Sequence, residues 1–377
     1  MQILAPFPQF LEKYLRCFHR TFEQQGPIPA ASRFQCSYLF DLFKFDFLLH
    51  GGNPEWIKYP YRSEKLFSLD YVNSTLAYQP WRLKSEDLEI LLKKKGWSKA
   101  ELVQAITIIC QVHSMCGIAF GCGVTPEIEL PSGSIIGDRR EPSIESKPVQ
   151  SNSHLDFVEN TSLLIDKLKN NNNNTNNIQL PENRVNFEKC DVIDMVEVGA
   201  AQNNENSDFK GFSNVEMKHQ DFDVHSSEYS IFRLLDYSWD DHGMILLSKY
   251  LPDLGELFSI EFYEIQNMTD KSVYEKKEGE EEIDTGPFRQ AIWYYVLRIS
   301  GMCHDDYDYQ CVNRYLPRDI KSYIKKCVFY PNNVKREDFD NLGINLRSEE
   351  KVHVNLLAVE ARKQACLLYS LFALMHS

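Results

Sequence analysis

Arg289 and Glu350 are the two ionic side chains whose positions ask for an explanation. Each opens a helix in the C-terminal part of the chain. A cation in the first turn opposes the helix dipole, whereas an acid there complements it. If the two face each other across a cavity, the pair suits an α-amino acid: the ammonium sits on the carboxylate, and the guanidinium grips the carboxyl group bidentately. Spacing alone leaves the plainer alternative open, an exposed arginine and an acidic first turn behind Ser348. Cys36, in Gln35-Cys36-Ser37-Tyr38, is a reactive thiol only if its pKa is lowered and it is accessible; otherwise it is a small apolar residue. Cys110, His113 and Cys116 share a helical face at three-residue steps, but a structural zinc wants four ligands and no fourth is evident. A core histidine between buried thiols fits that apolar setting better, so no metal and no cofactor are assigned. Asp305-Asp306-Tyr307-Asp308-Tyr309 reads by itself as a solvated acidic turn.

The elements that must hold these residues read as helices throughout. Phe10 to Phe22 is amphipathic, and a second helix is expected from Ala31 through Phe47. Ser85 and Gly96 bound a third, with Leu88, Leu91 and Leu92 inward. Ser98 and Glu101 make an S-x-x-E capping box before a run, 102–126, without formal charge. That run is long enough to span a bilayer, yet Gln104, Gln111, His113 and Ser114 interrupt it, so a buried core helix is expected. Helices are also predicted over Met244 to Tyr250 and Leu257 to Asn267. From Thr285 as N-cap, Phe288, Ala291, Ile292, Tyr295, Val296, Ile299 and Met302 recur at helical spacing. The last helix opens at Ser348 and runs to about Met375.

Composition bounds the rest. The 41 basic against 54 acidic residues give a net charge of −13, which argues against nucleic acid or an anionic membrane as the main partner. Ten cysteines without paired spacing suggest reduced thiols and a cytosolic setting. No secretory leader pattern is visible. Residues 131–227 are rich in Ser, Asn, Glu, Asp and Lys and are expected to be a disordered linker between an N-terminal helical domain (1–130) and a C-terminal one (228–377).

Several segments in order resemble the sestrin family: Gln35 to Tyr38, Gly51-Gly52-Asn53-Pro54-Glu55-Trp56, His113-Ser114, Phe120 to Gly123, Asp305 to Tyr309 and Glu350 to Leu357. The resemblance implies an all-α fold, two bundles related to AhpD-type alkyl hydroperoxidases packed together. It implies a cytoplasmic, in part nuclear, stress-responsive inhibitor of TOR signalling that binds the GATOR complex and is released by leucine. Carried over by position, Arg289 and Glu350 would hold the leucine carboxylate and amino group. Thr269, Ser272 and Thr285 would latch over it, and Phe288 would border the apolar pocket. Asp305, Asp306 and Tyr307 would form the GATOR-binding surface. Cys36 and Tyr38 would carry alkyl hydroperoxide reduction, the alternative function, but Phe43 stands where the family has a histidine. Peroxide reduction wants a proton donor that phenylalanine lacks. Gly343 falls where the family has a pocket tryptophan, Ser272 replaces a threonine, the segment between Pro29 and Ser32 is shortened, and an acidic insert (Glu275 to Glu282) lengthens the lid.

Overall fold

Two long apolar helices are each started by a side chain that satisfies orphan backbone N–H groups. At Ser98 the hydroxyl accepts from Glu101 N (3.2 Å) while Ser98 N donates to the Glu101 carboxylate (2.8 Å). At the other helix the cap is Arg347, not Ser348: Arg347 N donates to Glu350 Oε2 at 2.7 Å. The computed structural model describes residues 6–23, 48–49, 51–54, 64–123, 163–169, 219–268 and 284–377. Within these the chain is mostly helical. The helices used below are α1 (Pro8–Phe18), α2 (Asp70–Tyr78), α3 (Ser85–Lys94), α4 (Lys99–Gly121), α5 (Met244–Tyr250), α6 (Leu254–Asn267), α7 (Gly286–Ile299), α8 (Gln310–Tyr315), α9 (Arg318–Phe329) and α10 (Ser348–Met375). The expected helix from Ala31 to Phe47 and the acidic insert lie outside the described residues, as do Cys36, Tyr38, Phe43, Thr269 and Ser272.

The core is the antiparallel pair α4 and α10. Both are buried nearly all round, as their apolar composition requires. Two glycines bring their backbones together: a Cβ on Gly117 would lie 2.5 Å from Val359 Cγ1, and one on Gly121 2.6 Å from Asn355 Oδ1. Polar rungs cross the same seam. Asn355 Nδ2 donates to Gly117 O (3.2 Å), Ser114 Oγ to Glu360 Oε1 (2.7 Å), and Lys363 Nζ to Gln111 Oε1 (3.2 Å). Among the described residues α4 alone is apolar and long enough to cross a membrane, and 83% of its apolar stretch is buried inside the protein. The remaining helices wrap this pair, with α7, α9 and α6 packed on α10.

Other expectations change as well: the cap of α3 is Lys84, one residue before Ser85. Met302 does not continue α7, which stops at Ile299; Gly301 turns the chain at φ +85° and Met302-Cys303 pair in parallel with Phe232-Arg233 as a two-stranded β1–β2 ribbon. Helical spacing reached one step too far there because the glycine conformation that ends the helix leaves no trace in periodicity. Within the segment read as linker, residues 163–169 are helical with Leu164 and Leu168 buried, and Lys167 Nζ donates to Arg314 O at 3.1 Å. His219 stacks on Phe329 with centroids 3.7 Å apart, Asp221 pairs with Lys325 at 2.6 Å, and Phe222 is buried. Ordered packing therefore begins by His219, ahead of the expected boundary at 228. A few apolar and charged anchors in a polar stretch suffice when a neighbouring helix supplies the partners.

Candidate functional site

Arg289 is buried, 5% exposed, and its placement explains why a cation tolerates the first turn of α7. Its Nε donates to Gln266 O at 2.7 Å, near the C-terminal end of α6, and an Nη donates to Thr285 Oγ1. His353 of α10 reaches the adjacent carbonyl, with Nε2 2.9 Å from Ile265 O. A carbonyl can only accept, so Nε2 carries the proton. Burial, and then the neighbouring Arg289 charge, keep that ring neutral, with its pKa down to about 4. Two side chains from two helices thus satisfy carbonyls that α6 leaves unpaired at its end, and the negative end of α6 offsets the guanidinium charge.

Glu350 lies one turn before His353 on α10. Its carboxylate accepts from Arg347 N at 2.7 Å and Arg347 Nε at 3.3 Å. Burial raises its pKa above the ordinary carboxylate value, partly countered by those Arg347 bonds. Side chains on a helix lean toward its N-terminus, so His353 leans toward Glu350 while lying in the field of Arg289. The corner where α6, α7 and α10 pack on one another therefore holds Arg289 and His353, with Glu350 one turn before His353 on α10. Thr285 is in the same corner through its bond from Arg289; its hydroxyl does not cap α7, whose Gly286 N is taken by Asp284 Oδ1 at 2.8 Å. Phe288 is buried beside it in sequence. Gly343 sits at φ +76° with its absent Cβ 2.8 Å from Asp319 Oδ2, so a large side chain there would need both a strained backbone and a displaced Asp319. Thr269 and Ser272 lie outside the described residues.

The acidic turn is less uniform than its sequence. Asp305 is tied to Arg233 at 2.9 Å, which pins it to the β1–β2 ribbon. Tyr307 is half-buried and packs on Tyr294, centroids 4.1 Å apart, while Tyr309 accepts His304 N through its hydroxyl at 3.0 Å. Burial pushes both phenols well up. Asp306 and Asp308 stay exposed.

The middle of α10 holds groups that sequence reasoning passed over. Lys363 has no exposed side-chain surface; it meets Glu261 at 2.8 Å and Glu360 at 2.5 Å, under the rings of Tyr14, Phe258 and Phe262. Burial lifts the Glu360 carboxyl to about 7 despite Lys363, with Glu261 adding to the rise. Arg362 donates to Leu76 O (2.7 Å) and Ala77 O (3.1 Å) at the end of α2 and to Ser300 Oγ (3.0 Å), and lies over Phe329. The available signal was Glu360, Arg362 and Lys363 inside an otherwise apolar run, since buried charges must be paired. His113 behaves as a core histidine: Nε2 is 3.0 Å from Asn73 Oδ1 and burial lowers its pKa to about 4. Among the described residues no three His, Cys, Asp or Glu side chains gather as a metal site.

The family model described as PA26 p53-induced protein (sestrin) matches residues 1–377. The chain is 34% identical to the sestrin homolog of Dictyostelium discoideum, over all of this chain and 70% of that protein. It is 33% identical to sestrin-1 of Macaca fascicularis, over 99% of this chain and 82% of the relative, and 31% identical to human sestrin-2 over the same shares.

Proposed function

The chain belongs to the sestrin family, and from that premise we propose that it is a stress-responsive regulator of TOR signalling. In this reading it docks on the GATOR complex and lets go when leucine enters the corner between Arg289 and Glu350. The observation that supports the reading is the packing of α6, α7 and α10, which brings Arg289 and His353 to the end of α6 with Glu350 one turn before His353. It offers a buried cation on α7 and, one turn before His353 on α10, a largely buried carboxylate, the two charges that the carboxyl and amino groups of an α-amino acid would meet. Phe288 gives the isobutyl group an apolar neighbour. Thr269, Ser272 and Thr285 act as the hydroxyl latch. Asp306, with Asp305 and Tyr307 behind it, is the docking surface, and the site of action is cytoplasmic. The two-bundle arrangement expected of the family is supported by the antiparallel α4–α10 pair, each a capped apolar helix at the heart of its half.

Leucine added to the purified protein should raise its melting temperature and release heat in calorimetry, and it should weaken capture of the GATOR complex. Absence of heat and of any shift at millimolar leucine would remove the sensing half of the proposal. Capture that survives Asp306→Ala would remove the docking surface.

A further inference from the structure

A cavity of about 100 Å³ lies beside the α4–α10 seam, away from the Arg289 corner. Cys110 and Cys366 both line it, together with His113, Arg362 and Phe120. The two thiols face the same cavity across the seam, and the Cys366 thiol donates to Leu76 O at 3.4 Å. They form one more rung of the antiparallel register that pairs Gln111 with Lys363 and Ser114 with Glu360. Backbones held close by Gly117 are what a disulfide between helices needs, because its Cα atoms must come within about 7 Å.

The environment separates the two sulfurs. Burial alone would raise both thiols. For Cys366 the neighbouring Cys110 and the Arg362 guanidinium prevail and bring it down to about 7, while Cys110 is pushed up. Arg362 donates to the neutral oxygens of Ser300, Leu76 and Ala77, so a thiolate at Cys366 gives its charge a nearby counterpart. The other described thiols are all raised, by burial in each case. Phe120, 39% exposed, lines the cavity at the protein surface. The space exceeds the roughly 30 Å³ share of one water molecule, so a molecule the size of hydrogen peroxide fits.

We infer that Cys110 and Cys366 form a peroxide-responsive thiol pair that closes to an internal disulfide and fastens α4 to α10. The Cys366 thiolate attacks one peroxide oxygen; the S–O bond forms, the O–O bond breaks, and the departing hydroxide takes a proton to leave as water. Cys110 sulfur then attacks the Cys366 sulfenic acid; the S–S bond forms, the S–O bond breaks, and a second water leaves with the Cys110 proton. The two sulfurs together lose two electrons and the peroxide gains them. A thiol reductant reverses the closure by exchange. The device is independent of the leucine reading and of Cys36.

The test treats the full chain with hydrogen peroxide, alkylates free thiols and maps peptides by mass spectrometry. The expected product is a Cys110–Cys366 linked peptide, lighter by two hydrogens than its reduced components and lost on reduction. Cys110→Ser should leave Cys366 trapped as a sulfenic acid by dimedone, and Cys36→Ser should still form the link. Recovery of Cys110 and Cys366 as alkylated thiols after half-exposed Cys311 has been oxidised would overturn the inference. So would linkage of either to a different cysteine, or loss of the link in Cys36→Ser. The wild-type measurement decides the matter even if a variant fails to fold.

Discussion

Replacing Glu350 by glutamine separates its two roles. As a helix cap it accepts Arg347 N at 2.7 Å, and glutamine keeps an acceptor oxygen at the same position of a capping box. What the fold loses is a charge at the first turn, about 0.3–1 kcal/mol, together with a partly exposed pair with Arg347 of similar or smaller worth. Stability should therefore fall by about 2 kcal/mol at most. As a ligand group it loses a charge-assisted bond to an ammonium, about 1.5–3 kcal/mol, so leucine should bind roughly 10- to 150-fold more weakly. Calorimetric titration of both proteins, with circular dichroism melts alongside, reads the two effects separately. The pH dependence adds a second check. Only the ionised carboxylate pairs with an ammonium, and burial raises the pKa of Glu350, so affinity should drop on acidification before an ordinary carboxylate titrates. The glutamine variant should lose that dependence. A leucine affinity within twofold of wild type would refute the placement of the amino group at Glu350. Arg289→Ala is a weaker probe, since it also strands the Gln266 carbonyl at the end of α6.

Lys363→Met should cost about 3–5 kcal/mol in denaturant unfolding, because it leaves the Glu261 and Glu360 carboxylates buried without their cation. Adding Glu261→Gln and Glu360→Gln should recover most of the loss; a cost below about 1 kcal/mol would mean the trio is not buried as a charged network. Glu360 also predicts a pH slope. Its folded pKa of about 7 lies above its ordinary 4.5, so the folded state holds the proton more tightly than the unfolded one. Its contribution is greatest below pH ~4.5 and is lost as pH rises through about 7; Glu360→Gln should flatten that slope in melts at pH 5 to 8. At the acidic turn, Asp305→Ala breaks a surface pair with Arg233 worth at most about 1 kcal/mol. Asp306→Ala should leave the melting temperature unchanged while weakening GATOR capture, and equal loss of both would point to a folding defect.

Periodicity and capping chemistry alone settled a good deal of this fold. Met244–Tyr250 is the helix its spacing predicts, Ser98 and Glu101 start α4, and the uncharged run behind them is buried in protein. The last helix runs to Met375 as expected, although its cap is Arg347 and not Ser348. Those features are local: the atoms that decide them lie within four residues of one another. The sestrin resemblance, carried by short segments, could name Arg289, Glu350 and the Asp-Tyr turn but not their surroundings. That α6 ends on Arg289 and His353, that Arg233 claims Asp305, and that Lys363 joins Glu261 to Glu360 follows from helices distant in sequence packing together. The Cys110–Cys366 pair is the extreme case. Each is one apolar-looking residue in a buried helix, and only the antiparallel register of α4 on α10, held close by Gly117 and Gly121, brings the sulfurs together beside Arg362. A side chain's type is written in the sequence, whereas its partner and its pKa depend on which other helix shares its space.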